Sequence, residues 1–245
     1  FVTKSSGNIL RVFSVLRQKN YTLGTKDVVE KFELSFAEKI GVGSGVAFAS
    51  GRMGFFAVLK SLNLSKNDEI LLTGFTCSVM ANAVIRAGAT PVYVDISERT
   101  FGMCPEDLKS KISKRSKVIV AQHTFGIPCE IDKICQIARS WNVTLIEDCA
   151  LSVGSTFDGT TLGDFGDCAI FSFDHSKPIN TFSGGLVYTK NRVLFDALKC
   201  IQISTCNLPA SYIRSLKLMY FIEQNLLHYG NYQIYSFLWR FILLM

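Results

Sequence analysis

Three short segments of the sequence hold residue types that can do chemistry. The first is Ala49-Ser50-Gly51-Arg52-Met53-Gly54, which opens an amphipathic stretch ending near Leu62. A glycine at a helix start lets backbone N–H groups approach an anion, and the helix dipole favours phosphate there. Taken alone, Ser50 is an ordinary N-cap, and no Gly-Lys-Ser/Thr follows, so this is not a Walker loop. The second segment is Leu145-Ile146-Glu147-Asp148, an apolar run ending in two acids. Side chains alternate along a strand, so one acid can face a cleft while its neighbour faces away. A carboxylate there can ligate magnesium, orient a histidine or pair with a protonated ring nitrogen; read alone, the pair is equally a solvated strand end. The third is Phe171-Ser172-Phe173-Asp174-His175-Ser176-Lys177, followed by Ser183-Gly184-Gly185. A lysine just beyond a buried strand, among hydroxyls and near a glycine pair, can serve as an amine nucleophile, whereas a lone lysine is usually solvated. Ser172 can donate to phosphate or merely to backbone.

The combination is more specific than its members. A helix N-terminus for phosphate, the strand-end Asp148 for a pyridinium nitrogen and the later Lys177 for a Schiff base are the parts of a pyridoxal 5'-phosphate (PLP) site. Lys177 follows Asp148 by 29 residues, room for one further strand and its connections.

These residues need a scaffold, and the periodicity supplies one. From about residue 45 to 190, short apolar runs read as buried strands: Glu69–Thr73, Pro91–Asp95, Lys117–Gln122, Thr144–Asp148, Cys168–Phe173 and Leu186–Thr189. Between them lie amphipathic stretches: Met53–Leu62, Ser78–Ala87, Glu106–Ile112, Ile131–Trp141 and Arg192–Ile203. This alternation predicts an α/β fold, a mainly parallel sheet flanked by helices on both faces. Such sheets keep their chemistry at the carboxyl ends of the strands. The expected domains are residues 1–206, carrying the site, and residues 207–245, a helical segment rich in Tyr, Leu, Phe and Ile.

Composition bounds the rest. At 245 residues, 48% hydrophobic and 19% charged, the chain can build a substantial core, which excludes wholesale disorder. The net charge of +6 is scattered, without a basic run of the kind that marks a nucleic-acid partner. The eight cysteines form no CxxC pair, and His123, His175 and His228 stand in unrelated positions, so no metal is expected. Cysteines within apolar runs, as at Cys168, read as small buried hydrophobes and favour a reducing cytoplasm. The apolar stretch Phe237–Met245 is interrupted by Arg240 and is too short to span a bilayer; a core or interface helix is expected.

The sequence resembles the sugar-nucleotide aminotransferases of the DegT/StrS type, which have the aspartate-aminotransferase (fold type I) architecture. The resemblance runs from about Gly24 to Asn191. It rests on Ala49-Ser50-Gly51, Asn67-Asp68-Glu69-Ile70, the segment from Gly88 to Asp95, and Phe125-Gly126-Ile127-Pro128. It continues through Ile146-Glu147-Asp148-Cys149-Ala150, Gly163-Asp164-Phe165-Gly166-Asp167 and the segment from Ser172 to Lys177. It implies Lys177 as the Schiff-base residue, Asp148 as the partner of the pyridine nitrogen, Ser172 as a phosphate-holding hydroxyl, and Gly51 and Arg52 as the phosphate loop. Lys177 also argues against the branch that has histidine there and dehydrates its substrate. Arg52 departs from the family's usual Thr or Ser, though a guanidinium still binds phosphate. Cys77 stands where an aromatic ring commonly covers the cofactor, and Leu151 replaces a polar residue near its ring hydroxyl.

The resemblance implies a homodimeric, PLP-dependent aminotransferase that moves an amino group, usually from glutamate, to a nucleotide-linked keto sugar in polysaccharide biosynthesis. A catalytically silent protein of the same fold, or another PLP reaction on it, remains open. The family continues beyond the last residue here into a small C-terminal domain. With Phe1 at its start and an apolar end, the chain is expected to be a C-terminally truncated fragment, inactive and poorly soluble by itself.

Overall fold

The computed structural model describes residues 26–205 and 209–226. The chain divides into two units at Ser204/Thr205. In the first, helix α1 (Lys26–Ile40) leads into strand β1 (Ser44–Phe48) and helix α2 (Gly51–Ser61). Strand β2 (Glu69–Thr73), helix α3 (Ser78–Ala87), strand β3 (Thr90–Val94), helix α4 (Pro105–Lys111) and strand β4 (Ser116–Gln122) follow. Helix α5 (Ile131–Trp141), strand β5 (Thr144–Asp148), a small hairpin of β6 (Thr156–Phe157) and β7 (Thr160–Thr161), strands β8 (Cys168–Ser172) and β9 (Gly185–Thr189), and helix α6 (Arg192–Ser204) complete it. The second unit contains helix α7 (Ala210–Leu226). The apolar stretch Phe237–Met245 lies outside the described residues. Among the described residues, no helix is long and apolar enough to cross a membrane.

Among the described residues, seven strands form one sheet in the order β1-β9-β8-β5-β4-β2-β3. Pairing is parallel throughout β3, β2, β4, β5 and β8, while β9 runs antiparallel to both of its neighbours. The sheet is thus mainly parallel, as the alternation predicts. It departs at β8–β9, where no crossover helix intervenes and the chain returns beside the strand it has just left. The other departures are α1 and β1, which lie ahead of the predicted elements, and the small β6–β7 hairpin between β5 and β8.

Alternate side chains of each strand feed opposite layers. Ile70, Leu72, Val118, Val120, Ile146 and Val187 pack with Phe55, Val58 and Leu59 of α2, Val84 of α3 and Leu198 of α6. Leu71, Ile119, Ala121 and Leu145 face Leu108 of α4 and Ile131, Ile134 and Ala138 of α5. Ala169, Phe171, Leu186 and Tyr188 face Ala37 and Ile40 of α1. Cys168 is fully buried in the first layer, and burial pushes its thiol far above the ordinary range, so it behaves as the predicted hydrophobe. The described cysteines are all free thiols.

The outer edge of β1 is sealed by side chains. The buried Glu33 carboxylate accepts the Ala47 N–H at 2.7 Å, and the Gln202 amide donates to the Ala47 carbonyl at 2.7 Å and to Glu33 at 2.8 Å. At the other edge, the Thr90 N–H bonds inward to the Asp68 carbonyl at 2.9 Å, which turns the next residue, Pro91, outward.

Candidate active site

Because β1, β5 and β8 run in one direction, their carboxyl ends meet at one edge of the sheet, where β9 begins. Ser50 caps α2 from an extended backbone, its hydroxyl accepting the Met53 N–H at 3.3 Å. The capping reading of Ser50 is therefore correct, and it fixes where the helix dipole points. Ser50 also pairs with Gly184 in an isolated parallel bridge, and the Ser183 hydroxyl donates to the Ala49 carbonyl at 2.7 Å. Gly51 and Ser172 are in close apposition: a Cβ on Gly51 would stand 2.9 Å from the Ser172 Cβ and 3.1 Å from the Phe171 carbonyl oxygen. A Cβ on Gly185 would overlap the Gly51 backbone itself. Two glycines thus let the N-terminus of α2 sit directly on the end of β8, with the Ser172 hydroxyl beside the helix end. Arg52 projects into solvent from the first turn.

Asp148 ends β5. Its Oδ1 accepts the Ala150 N–H at 3.0 Å, and its second oxygen has no hydrogen bond among the described residues. Burial pushes its carboxyl above the ordinary range, with the Ala150 N–H and the Lys177 ammonium pulling it back. Lys177 is half-buried in the loop after β8, where its N–H bonds to the Asp174 carbonyl at 2.9 Å. The structure therefore brings Gly51, Ser172, Asp148 and Lys177 to one edge, with the lysine and the acid within electrostatic reach.

The neighbouring acid faces the other way, as alternation requires. Glu147 is fully buried and accepts the N–H groups of Gly163, Phe165 and Gly166, each at 2.8 Å. Its Oε2 also faces His123 Nε2 at 3.2 Å. The Cys129 N–H donates to His123 Nδ1 at 3.3 Å, so Nε2 carries the ring proton and donates to Glu147. His123 is therefore not unrelated to the site: its own N–H bonds to the Asp148 carbonyl at 3.2 Å. His123, Glu147 and Cys149 bring ligand-type atoms within 4.8 Å of one another. Four hydrogen bonds already occupy the carboxylate and one occupies Nδ1, so Glu147, steadied by His123, works as a clamp on the 163–166 turn. The sequence signal for it was the second acid of the strand, one residue out of phase with Asp148.

Cys77 is exposed at the N-cap of α3 and makes no side-chain cap bond. The turn that carries it is held by Gln122, at the end of β4 and in register with Asp148. Gln122 Oε1 accepts the Thr76 hydroxyl at 2.6 Å, and Nε2 donates to the Phe75 carbonyl at 3.1 Å and to the Thr124 hydroxyl at 2.8 Å. Thr124 in turn donates to the Phe101 carbonyl at 2.9 Å. Nothing in the sequence singled out Gln122.

The donor set fits PLP. Ser172 and the N-terminus of α2 form a cradle for an anion, and Asp148 keeps one carboxylate oxygen free of hydrogen bonds among the described residues, available to a protonated ring nitrogen.

The sequence pattern of the DegT/DnrJ/EryC1/StrS aminotransferase family matches residues 4–215. The chain belongs to this family. Among relatives of this DegT-type chain is GDP-perosamine synthase of Escherichia coli O157:H7, 36% identical over 174 residues, which are 71% of this chain and 47% of that protein. An aminotransferase from Psychrobacter cryohalolentis is 30% identical and superposes with a TM-score of 0.69, covering 81% of this chain and 50% of that one. NtdA from Bacillus subtilis, solved with bound PMP, is 28% identical with a TM-score of 0.67, covering 79% and 43%. The DegT-type chain spans about half the length of the curated relatives it matches.

Proposed function

We propose that this chain carries the cofactor half of a PLP-dependent aminotransferase that transfers an amino group, from glutamate, to a nucleotide-linked keto sugar. The observation that carries the reading is the meeting of Gly51, Ser172, Asp148 and Lys177 at one carboxyl edge of the sheet. Residues 1–206 are the cofactor-binding domain and 207–245 a helical lead into a further one. The protein works in the cytoplasm as a homodimer.

PLP, when bound, supplies an electron sink for the carbon that loses or gains the amino group. The chain's residues do the rest. Ser172 and Gly51 would hold the cofactor phosphate, joined by the Arg52 guanidinium turning in from its exposed place on the first turn of α2, and Asp148 would supply the counter-charge that keeps the ring nitrogen protonated. The Lys177 amine anchors the cofactor and, once displaced by the amino donor, carries the proton that moves during amino transfer. Cys77, exposed at the N-cap of α3, would take the place of the ring-covering aromatic.

A second reading, a PLP-fold protein without turnover, draws support from Cys77, which would cover the ring less well than an aromatic side chain, and from Leu151, whose side chain has no group to bond the ring hydroxyl. One experiment separates them. On the purified protein with added PLP, the aminotransferase reading requires a visible absorbance band that glutamate converts to the PMP spectrum in a single turnover. A band that glutamate leaves unchanged, or no band at all, overturns the aminotransferase reading and selects the silent protein.

A further inference from the structure

Three phenylalanines lie exposed at the carboxyl edge, beside the site but outside the proposed chemistry. Phe75 follows β2, Phe101 lies in the loop after β3, and Phe125 follows β4. They are 50%, 40% and 63% exposed, yet they touch: Phe75 and Phe125 at 5.9 Å between ring centroids, Phe101 and Phe125 at 6.0 Å, both edge-to-face. Edge-to-face contact leaves ring faces open to a flat ligand. The cluster is also built rather than accidental. Gln122 and Thr124 bond to the carbonyls of Phe75 and Phe101, tying three separate loops together. Phe101 and Phe125 both hold φ of 56°, a left-handed backbone that a bulky residue rarely takes. Such a conformation persists only where its surroundings hold it, and it recurs at ligand sites.

We propose that the Phe75–Phe101–Phe125 platform receives the nucleobase of the sugar nucleotide, which rests on the aminotransferase reading above. Its place favours this occupant. In the strand order, β4, which Phe125 follows, is next to β5, and β2, which Phe75 follows, lies two strands away, so the platform runs outward from beside the Asp148 strand to about 10 Å from it. A keto sugar held over Asp148 and Lys177 extends its diphosphate and nucleoside away from the reacting carbon, and the platform lies on that same edge. Stacking on aromatic faces suits any base, so the platform sets affinity for a nucleotide rather than the choice among bases. Gln122 is the positioning residue that keeps the rings together.

The test uses the PLP-loaded protein with GDP and UDP as probes and inorganic pyrophosphate as the control, read by calorimetry. Phe125→Ala and Phe75→Ala should each weaken nucleotide binding about tenfold while leaving pyrophosphate unchanged. Both side chains are exposed, so the fold should survive, which circular dichroism checks. Phe125→Trp should bind as well as the parent, with indole fluorescence quenched on nucleotide addition. Three outcomes overturn the proposal: neither nucleotide binds the parent, the alanine variants bind like it, or they change sedimentation instead of nucleotide affinity, which makes the patch a subunit seam. The glutamate half-reaction is read separately. A normal half-reaction without nucleotide binding removes the platform alone. Phenylalanine-dependent binding without any half-reaction removes the aminotransferase reading alone.

Discussion

Ser172 and Gly51 sit so close that a single added methyl on Gly51 would stand 2.9 Å from the Ser172 Cβ. The contact joins the start of α2 to the end of β8, and the proposed roles of Gly51 and Ser172 at the cofactor phosphate depend on it. Gly51→Ala should force the two elements apart, at a cost of about 1–3 kcal/mol for overpacking. PLP affinity should drop at least tenfold. Thermal unfolding of the apoprotein and a spectral PLP titration measure the two effects; unchanged affinity would remove Gly51 from the cradle.

Lys177→Arg keeps the positive charge but removes the amine that can form an imine with the cofactor. Borohydride treatment in the presence of PLP should then fail to attach the cofactor covalently, while the parent is labelled at Lys177. Mass spectrometry decides. Labelling of the variant at the parent's level would place the Schiff-base residue elsewhere.

Asp148 gives a prediction with a sign in pH. Burial raises its carboxyl in the folded state, so the folded protein holds this proton to higher pH than the unfolded chain does. As pH climbs above the ordinary aspartate range, near pH 3.9, that difference weakens the apoprotein. Asp148→Asn removes the ionisation. Its melting midpoint at pH 7 should exceed the parent's, and the gap should close as pH falls below that range. Turnover should fall roughly 100-fold, because the ring nitrogen loses its counter-charge. Activity within a few-fold of the parent would sink the assignment.

Glu147 should behave as its neighbour's opposite. Glu147→Ala strands three backbone N–H groups and the His123 ring N–H in a dry interior, a loss of about 3 kcal/mol or more. Urea unfolding checks this. A stability within about 1 kcal/mol of the parent would mean that the 163–166 turn does not depend on the carboxylate.

Local signals made most of this scaffold readable. Ile131–Trp141 and Ser78–Ala87 carry an unbroken helical period, and Thr144–Asp148 is an apolar run of strand length, so their bounds agree with the structure. Strand β1, Ser-Gly-Val-Ala-Phe, has little pattern of its own; it is a strand because β9, far along the chain, pairs with it. Phe32, Phe36 and Ile40 recur every fourth residue and do carry a helical signal for α1, one that a reading centred on residues 45–190 leaves out. In the site, Asp148 and Ser172 stand at strand ends and Lys177 in the loop that follows β8, where the rule for open α/β sheets directs attention. Glu147, His123 and Gln122 were not legible as a group, because their partners lie on turns whose approach only the folded chain creates.

The sealed flank of β1 fixes how this molecule can grow. A strand from another chain has nothing to grip at Ala47, since one side-chain carboxylate and one side-chain amide already stand where its backbone would go. The opposite flank offers Pro91, a residue without a hydrogen to give. Sheet-to-sheet polymerisation is thus discouraged at both flanks. Copies of this protein that meet are steered toward contacts through loops and helices rather than along these two strand edges.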